Sequence, residues 1–202
     1  CFDADLAVVT TIDLDHMEWL GDNREAIAGE KMGIARPARP VVCADARPPR
    51  RIAERASALD APLWQLGRDY HYAADRQAWT WWQGERRYRD LPRPGWMGDA
   101  ALANAAGAVM AVSGAHPALA VGPSAIRDGL AAARLAGRQA PAPGPGAGWL
   151  LDVGHNPSAI ALLAERLEAH RANGKVRMAF GLMARKPVAP LLSLLGPVVD
   201  EW

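Results

Sequence analysis

The chain of 202 residues lacks the features that mark several classes of protein. Its two cysteines, Cys1 and Cys43, have no metal-ligand spacing and form no disulfide framework, which favours a reducing compartment. Lys and Arg (23) nearly balance Asp and Glu (22), so no positive surplus indicates nucleic acid. No apolar run reaches the roughly 18 residues of a membrane helix, and no signal peptide is visible. We therefore expect a cytoplasmic monomer without membrane or nucleic-acid partners.

Two loops that would identify common chemistry are also missing. No G-x-x-x-x-G-K-[ST] stretch is present to cradle nucleotide phosphates, and no G-x-S-x-G nucleophile elbow occurs. Asp152, His155 and Ser158 are the residue types of a hydrolase triad, but all three crowd one turn, which argues against that chemistry. A metal site made of His16, His71 and His155 has no characteristic spacing to support it.

Both ends of the sequence indicate a piece of a longer protein. The chain begins without Met and enters an apolar strand almost at once, and it ends as another apolar run closes. We expect a fragment that lacks preceding and following segments and that does not catalyse by itself.

The pattern of apolar residues predicts an α/β protein. β-branched runs at 5–12 and 40–44 predict strands buried on both faces. Helical patterns follow each of them, from Arg24 to about Ile34 and again after the prolines that precede Arg50. Strand and helix thus alternate, which is typical of a parallel sheet.

Tryptophans are concentrated between residues 63 and 92, where short β-like pieces and turn signals predict an antiparallel sheet. Trp79 and Trp81 fall on one face of a strand and Trp82 on the other, because side chains alternate along a strand. One interpretation is an aromatic platform for a ligand. The one we favour is a small sheet packed on the α/β body, because aromatic residues favour pleated surfaces.

The second half of the chain predicts further elements and a division into domains. We expect helices at 98–114, 122–138, about 157–170 and about 188–195, and strands at 149–153 and 176–180. Ser124 is the expected N-cap of the second of these helices. The Pro/Gly stretch at 139–148 has no periodicity and is the best linker candidate. One domain would then cover 1–138 and a second would start at 149 and continue to 202.

Polar residues follow two of the predicted strands at positions that suit a ligand. His16 lies four residues beyond the first strand, and ligands of open α/β sheets bind beyond the carboxyl ends of strands. Asp152 and His155 lie on the turn LDVGHNP, where backbone N–H groups at a helix start can bind hydroxyls or phosphates. Taken alone, His16 is better explained as a histidine bonded to local backbone, and Lys31 as an ordinary surface lysine.

Four stretches, in order and over essentially the whole chain, resemble one enzyme family. They are TTIDLDHMEWLGDNREAIAGEKMGI (10–34), LANAAGA, LAGR and LDVGHNP. They resemble the D-H and E-K-x-G-I block, the adenine-side asparagine helix, the P-G-R turn and the D-x-A-H-N-P turn of the folylpolyglutamate synthase and dihydrofolate synthase family. The bacterial bifunctional branch is the most similar. The related Mur ligases typically continue the first block as D-H-x-D-x-H-G, which this sequence does not.

The resemblance implies a fold and a reaction. The fold would be the later part of a P-loop-type parallel-sheet ATPase domain with a small antiparallel subregion, followed by the start of a Rossmann-like α/β domain that ligates glutamate. ATP would phosphorylate a carboxylate of dihydropteroate or a folate, and the amine of L-glutamate would displace phosphate from the acyl phosphate. Mg²⁺ would neutralise charge on the transferring phosphoryl group. The P-loop of the family lies before the strand at which this chain begins.

The resemblance also implies roles for individual residues. His16 would be a Mg²⁺ ligand. Lys31 would be the lysine that the family carbamylates, which turns a cation into a hard oxygen donor suited to Mg²⁺. Four residues would bind ATP, with Asn104 at the adenine, Arg138 at the phosphates, and Asp152 and His155 closing from the second domain.

The sequence departs from the family pattern at three places. Ala100 and Ala101 stand where the family has a His-Gln pair before the adenine-side asparagine. Ala136 replaces the proline of P-G-R, and residues 185–187 read Arg-Lys-Pro where the family often has Asp-Lys-Asp, so Lys186 receives no role. Two alternatives therefore stay open: a Mur-type amino-acid ligase, and a non-catalytic paralogue that binds a nucleotide or a pterin.

Overall fold

A computed structural model describes residues 3–14, 17–94, 99–114, 121–142, 148–171, 174–184, 186 and 188–202. Its elements are β1 (Ala7–Val9), α1 (Met17–Leu20), α2 (Arg24–Lys31) with a 3-10 turn (Met32–Ile34), β2 (Val41–Cys43), α3 (Arg50–Ala58), β3 (Leu63–Gln65), β4 (His71–Ala74), β5 (Ala78–Gln83), β6 (Arg86–Pro92), α4 (Asp99–Gly114), α5 (Pro123–Ala132), β7 (Ala140–Pro141), β8 (Leu150–Leu151), α6 (Pro157–His170) and α7 (Val188–Leu195). The fold is mixed α/β, with parallel and antiparallel sheets. Among the described helices, none combines the length and the apolar character that a lipid bilayer demands of a spanning segment.

The chain divides into two compact units. Unit 1 comprises the described residues of Cys1–Gly95 and Asp99–Ala133, and unit 2 begins at Arg134 and runs to Trp202. The predicted domain boundary at 138 therefore falls five residues inside unit 2 by this division.

The first sheet of unit 1 is parallel, in the order β1-β2-β3. Val42 in the middle strand lies opposite Val8 on one side and Trp64 on the other. The predicted alternation of parallel strand and helix is confirmed, although β1 is shorter than the apolar run from which it was predicted. β3 joins this sheet rather than the antiparallel one, so the antiparallel region starts later than residue 63. The apolar faces of α2 and α3 bury Ile27, Ile52 and Ala56 against it.

Side-chain caps explain where two of the helices begin. Asn23 and Asn156 each accept a hydrogen bond at 2.9 Å from a backbone N–H three residues later, in α2 and α6. In α5 the predicted Ser124 cap is wrong. The N-cap lies two residues earlier, at Gly122, and the helix begins at Pro123, because proline suits the first helical position.

The second sheet of unit 1 is antiparallel and contains β4, β5 and β6. Trp79 and Trp81 are both buried in a core that also contains Leu102 and Met110 of α4. The Trp79 indole N–H donates to the Pro92 carbonyl at 2.8 Å, which satisfies that buried donor. The favoured interpretation of the tryptophans, a sheet packed on the α/β body, is confirmed.

Unit 2 contains one antiparallel pair, β7 and β8, and the helices α6 and α7. Both helices were predicted, and they share a core in which Ile160 and Leu195 are almost completely buried. The predicted strand at 176–180 is wrong in extent, because only a single bridge between Arg177 and Glu201 forms there. The predicted linker also contains regular structure, since β7 lies inside it and pairs with β8, which follows it.

Candidate functional site

The turn after β8 is held by the carboxylate of Asp152. One oxygen accepts the Gly154 N–H at 2.5 Å, and the other accepts the Gln139 N–H at 2.9 Å. The guanidinium of Arg166 binds the Gln139 carbonyl at 2.8 Å from the α6 side. The Asp152 carboxylate therefore joins two chain segments by hydrogen bonds, and it is also a candidate ligand.

A glycine allows the two segments to approach. The Val153 N–H donates to the Gly137 carbonyl at 2.7 Å. Gly137 has φ +69°, and a Cβ at this position would lie 2.7 Å from a methyl of Val153. A side chain there would meet both backbone strain and a clash, so the close approach requires glycine.

Arg138 lies between these anchored residues. Its neighbours Gly137 and Gln139 are both bonded to the turn, and its own side chain is exposed. His155 lies on the same turn, with Nδ1 3.0 Å from the Val153 carbonyl oxygen, a contact that favours a proton on Nδ1. Unit 2 thus gathers three of the predicted site residues, Arg138, Asp152 and His155, around one hydrogen-bonded turn.

Helix α6 begins directly at this turn. Asn156 caps it and Pro157 occupies its first position. A helix N-terminus carries partial positive charge and unpaired N–H groups, and this favours phosphate. The exposed Arg138 guanidinium adds a full positive charge to the same region of unit 2. The arrangement suits binding of an anionic ligand such as a nucleotide phosphate.

The remaining predicted residues belong to unit 1. Lys31 is the exposed last residue of α2. Asn104 is exposed on α4, a helix whose other residues are mostly buried. Ala101, which stands where the family has glutamine, is only 4% exposed. His16 lies outside the described residues.

Sequence analysis missed a second carboxylate at a strand end. Asp45 follows β2 and is 3% exposed. Its oxygens accept the N–H of Ile12 at 2.9 Å, the N–H of Arg47 at 2.8 Å and the guanidinium of Arg24 at 2.8 Å. The available signal was an aspartate directly after a continuous buried strand, which is rarely solvated and needs partners.

A cleft of about 290 Å³ opens beside this carboxylate in unit 1. It is lined by Thr11, Ile12, Asp13, Arg24, Asp45, Ala46, Arg47, Tyr72 and Ala103. The cleft lies beyond the carboxyl ends of β1 and β2, where the sequence predicted a site. Within the described part of the chain, no three His, Cys, Asp or Glu side chains are grouped to hold a metal ion.

Comparison with known proteins identifies relatives. The dihydrofolate synthase/folylpolyglutamate synthase of Escherichia coli is 37% identical over 201 residues, which is 99% of this chain and 46% of the relative. That of Haemophilus influenzae is 31% identical, again over 99% of this chain. Along its whole length this chain is similar to about half of a dihydrofolate synthase/folylpolyglutamate synthase. The resemblance inferred from the four motifs is confirmed.

Solved structures of these synthases agree with the fold. E. coli FolC in complex with ADP, without folate substrate, superposes with a TM-score of 0.87 at 36% identity. A bifunctional folylpolyglutamate synthase/dihydrofolate synthase with Mn, AMPPNP and L-glutamate bound superposes with a TM-score of 0.83 at 37% identity. Each match covers 99% of this chain and 47% of the other.

Two further facts bound these comparisons. The chain spans slightly less than half the length of the synthases it matches. No protein-family model matches the sequence.

Proposed function

We propose that this chain is part of an ATP-dependent ligase that joins L-glutamate to dihydropteroate, to the γ-carboxylate of a folate, or to both. The observation that carries the proposal is 37% identity to a dihydrofolate synthase/folylpolyglutamate synthase over 99% of the chain. It is supported by similarity to structures described as holding ADP with DHPP, and Mn with AMPPNP and L-glutamate. ATP is the phosphoryl donor and Mg²⁺ the cofactor in this proposal.

The proposed reaction has two steps, and each forms one bond and releases one leaving group. A carboxylate oxygen of the pterin substrate attacks the γ-phosphorus of ATP, and ADP leaves. The amine of L-glutamate then attacks the carbonyl carbon of the acyl phosphate, inorganic phosphate leaves, and the nitrogen loses a proton as the amide forms. Positioning and charge neutralisation carry most of the catalysis in phosphoryl transfer, so the residues proposed here bind and orient the substrates.

We assign four residues of this chain to nucleotide binding. Arg138 and His155 would bind ATP from unit 2, with Arg138 at the phosphates, and Asp152 would hold the turn that presents both. The hydrogen bond from the Gln139 N–H to the Asp152 carboxylate supports this assignment, because it fixes the backbone beside Arg138. Asn104 would contact adenine, which is consistent with its exposure on α4.

The Mg²⁺ site would use residues of unit 1. Lys31 is exposed at the end of α2, where carbon dioxide can reach its amine, and a carbamate supplies the hard oxygen that Mg²⁺ prefers. His16 would be a second ligand. Bound Mg²⁺ would neutralise negative charge on the phosphoryl group as it transfers. The described residues supply no complete ligand set of their own, so the proposal rests on the motif that contains both residues.

The domain assignment is also part of the proposal. Residues 1–138 would be the later part of a P-loop-type ATPase domain, 139–148 a linker, and 149–202 the start of a Rossmann-like glutamate-ligase domain. The parallel β1-β2-β3 sheet with α2 and α3 supports the first of these, and α6 and α7 beside β8 support the last. We further propose a cytoplasmic monomer whose ligands are small molecules. The balanced charge of the chain supports the absence of a nucleic-acid partner.

The test measures phosphate release by the intact gene product that contains this sequence. The assay contains ATP, Mg²⁺ and L-glutamate, with dihydropteroate or tetrahydrofolate as the acceptor. We expect release that requires both glutamate and an acceptor, and the acceptor that works identifies the activity. A protein that binds ATP but releases no phosphate with either acceptor would contradict the proposal. Release with a peptidoglycan precursor instead would identify a Mur-type ligase.

A further inference from the structure

The ion pair between Arg24 and Asp45 joins the residues on either side of the segment between β1 and α2. The guanidinium of Arg24 donates from Nε to the Ile12 carbonyl at 2.7 Å and from Nη2 to the Asp45 carboxylate at 2.8 Å. Ile12 and Arg24 stand at the two ends of residues 13–23, and Asp45 comes from the neighbouring strand. The ends of this segment are thus joined to each other and to the sheet.

Both backbone groups of Ile12 are used by this pair. Its N–H donates to Asp45 at 2.9 Å, while its carbonyl accepts from Arg24. The Asp45 side chain is 4% exposed and that of Arg24 is 37% exposed, so the carboxylate is shielded from water. A shielded carboxylate needs its hydrogen-bond donors, because an unpaired buried charge is strongly unfavourable. The position of Ile12 is therefore fixed by two directional hydrogen bonds, one to its carbonyl and one from its N–H.

The first turn of α2 is fixed on a second side. The carboxylate of Glu25 accepts the backbone N–H groups of Arg50 at 3.1 Å and Arg51 at 2.9 Å, at the start of α3. These hydrogen bonds, above all the one from the Arg51 N–H, hold the pKa of the Glu25 carboxyl below its ordinary value. Arg24 and Glu25 together tie α2 to β1, to the residues after β2 and to α3.

We propose that Asp45 and Arg24 are positioning residues that hold Ile12 against the start of α2, and thereby fix the two ends between which residues 13–23 run. This inference rests on the proposed function, in which the segment carries the metal ligand His16. Neither residue is proposed to touch a substrate. Their effect is to fix the ends of the segment before ligands bind, which reduces the ordering that binding requires.

The first experiment follows the segment itself and needs no activity. Hydrogen exchange is measured in the wild-type chain and in Asp45→Asn. We expect exchange of amides within residues 13–23 to become about tenfold faster, since bonds to a charged group are lost, with little change in β4–β6. Unchanged exchange in the segment would overturn the proposal.

Asp69→Asn is the matched control. Asp69 also accepts one backbone N–H, from Gln65 at 2.7 Å, and one guanidinium, from Arg68 at 2.7 Å, within the same unit. It therefore loses the same kind of bonds at a turn away from the segment. Faster exchange of residues 13–23 in both variants would indicate general loosening of unit 1 and would also overturn the proposal.

The second experiment uses the intact gene product and the Mg²⁺ dependence of phosphate release. For Asp45→Asn we expect the half-saturating Mg²⁺ concentration to rise by roughly 10- to 100-fold, as for other residues that orient metal ligands. The KM for the pterin acceptor should stay within about twofold. A variant that merely lost folded protein would show lower kcat at an unchanged Mg²⁺ requirement, and that result would contradict the positioning role.

Arg24→Lys provides an independent variant in case Asp45→Asn does not fold. A lysine ammonium keeps the charge but cannot reproduce the planar fork that binds Ile12 and Asp45 together. We expect the same increase in Mg²⁺ requirement and in exchange of residues 13–23, and wild-type values for both would refute the inference. A wild-type protein that releases no phosphate would refute the proposed function alone, because the exchange experiment would still test the segment.

Discussion

At the scale of single residues, this chain uses carboxylates that follow strands to organise its own backbone. Asp152 accepts the N–H of Gly154 in the turn after β8 and that of Gln139 before β7. Asp45, which follows β2, accepts the N–H groups of Ile12 and Arg47 and the guanidinium of Arg24. Asp152 thereby fixes the backbone beside Arg138, a proposed ligand residue, and Asp45 fixes the backbone of Ile12. Catalytic importance at such positions can therefore arise without contact to a substrate.

Lys31 and Lys186 provide a direct test of the residue roles. In the intact gene product we expect Lys31→Ala to lower glutamate-dependent phosphate release by roughly 100-fold, because a proposed metal ligand is lost. Lys186→Ala should change it less than about twofold, since the residue lies where the motif is not kept. Equal losses in the two variants would contradict the assignment. Circular dichroism at 222 nm is the check that both variants fold.

What the sequence could predict at this scale depended on motif order. Asp152, His155 and Arg138 were predicted from short motifs, and the structure places all three around one turn of unit 2. Asp45 and Arg24 were not predicted, because a single Asp after a strand and a single Arg in a helix have no distinctive spacing. Their pairing depends on how two strands and a helix meet, which is a property of the tertiary fold.

At the scale of elements, α4 packs unusually close to the end of β2. A Cβ at Gly107 would lie 2.8 Å from the Ala44 Cβ and 3.6 Å from the Tyr70 hydroxyl. That hydroxyl donates to the Cys43 carbonyl at 2.9 Å, and burial raises the pKa of Tyr70. The helix can lie this close to the sheet only where it has no side chain.

The same substitution, glycine to alanine, should therefore have opposite effects on the free energy of unfolding at Gly107 and at Gly129. Gly107→Ala should destabilise the protein by about 1–3 kcal/mol through overpacking. Gly129→Ala, in α5, adds a methyl with no atom within 4 Å, so it should stabilise by about 0.5–1 kcal/mol through helix propensity. Urea unfolding of the two variants beside the wild-type chain measures both changes. A stabilising Gly107→Ala would contradict the close approach of α4 to β2.

Helices were predicted better than strands and caps. All six predicted helical patterns gave helices, because a 3.6-residue period persists over many residues, although α5 ends at Ala132 and not at the predicted residue 138. The strand predicted at 176–180 forms only one bridge, because a short apolar run does not specify a pairing partner. The N-cap of α5 was misplaced by two residues, because Pro123 and Ser124 are both favourable near a helix N-terminus.

At the scale of the whole molecule, the chain has a separate hydrophobic core in each unit. In unit 2, the side chains of α6 and α7 form a cluster with Val198 and Val199. Leu195 in this cluster is completely buried, whereas Leu192 on the same helix is 39% exposed. These two leucines allow the unit 2 core to be perturbed with a control on the same element.

We expect Leu195→Ala to destabilise unit 2 by about 2–5 kcal/mol, because it removes a buried side chain and leaves a cavity. Hydrogen exchange should show faster exchange in α6 and α7, with β4–β6 unchanged. Leu192→Ala should cost less than about 1 kcal/mol. Equal acceleration of exchange in both units after Leu195→Ala would show that the two cores do not respond separately.

The bond between the ends of residues 13–23 also bears on how the chain can diverge. The residues that flank this segment, Ile12 and Arg24, are hydrogen-bonded to each other. The segment can therefore change in length without moving the strand before it or helix α2 after it. The entropic cost of a longer loop grows only logarithmically, by about 0.6 kcal/mol for each doubling. Insertions between these two residues should therefore cost little stability where they leave the motif that contains His16 intact.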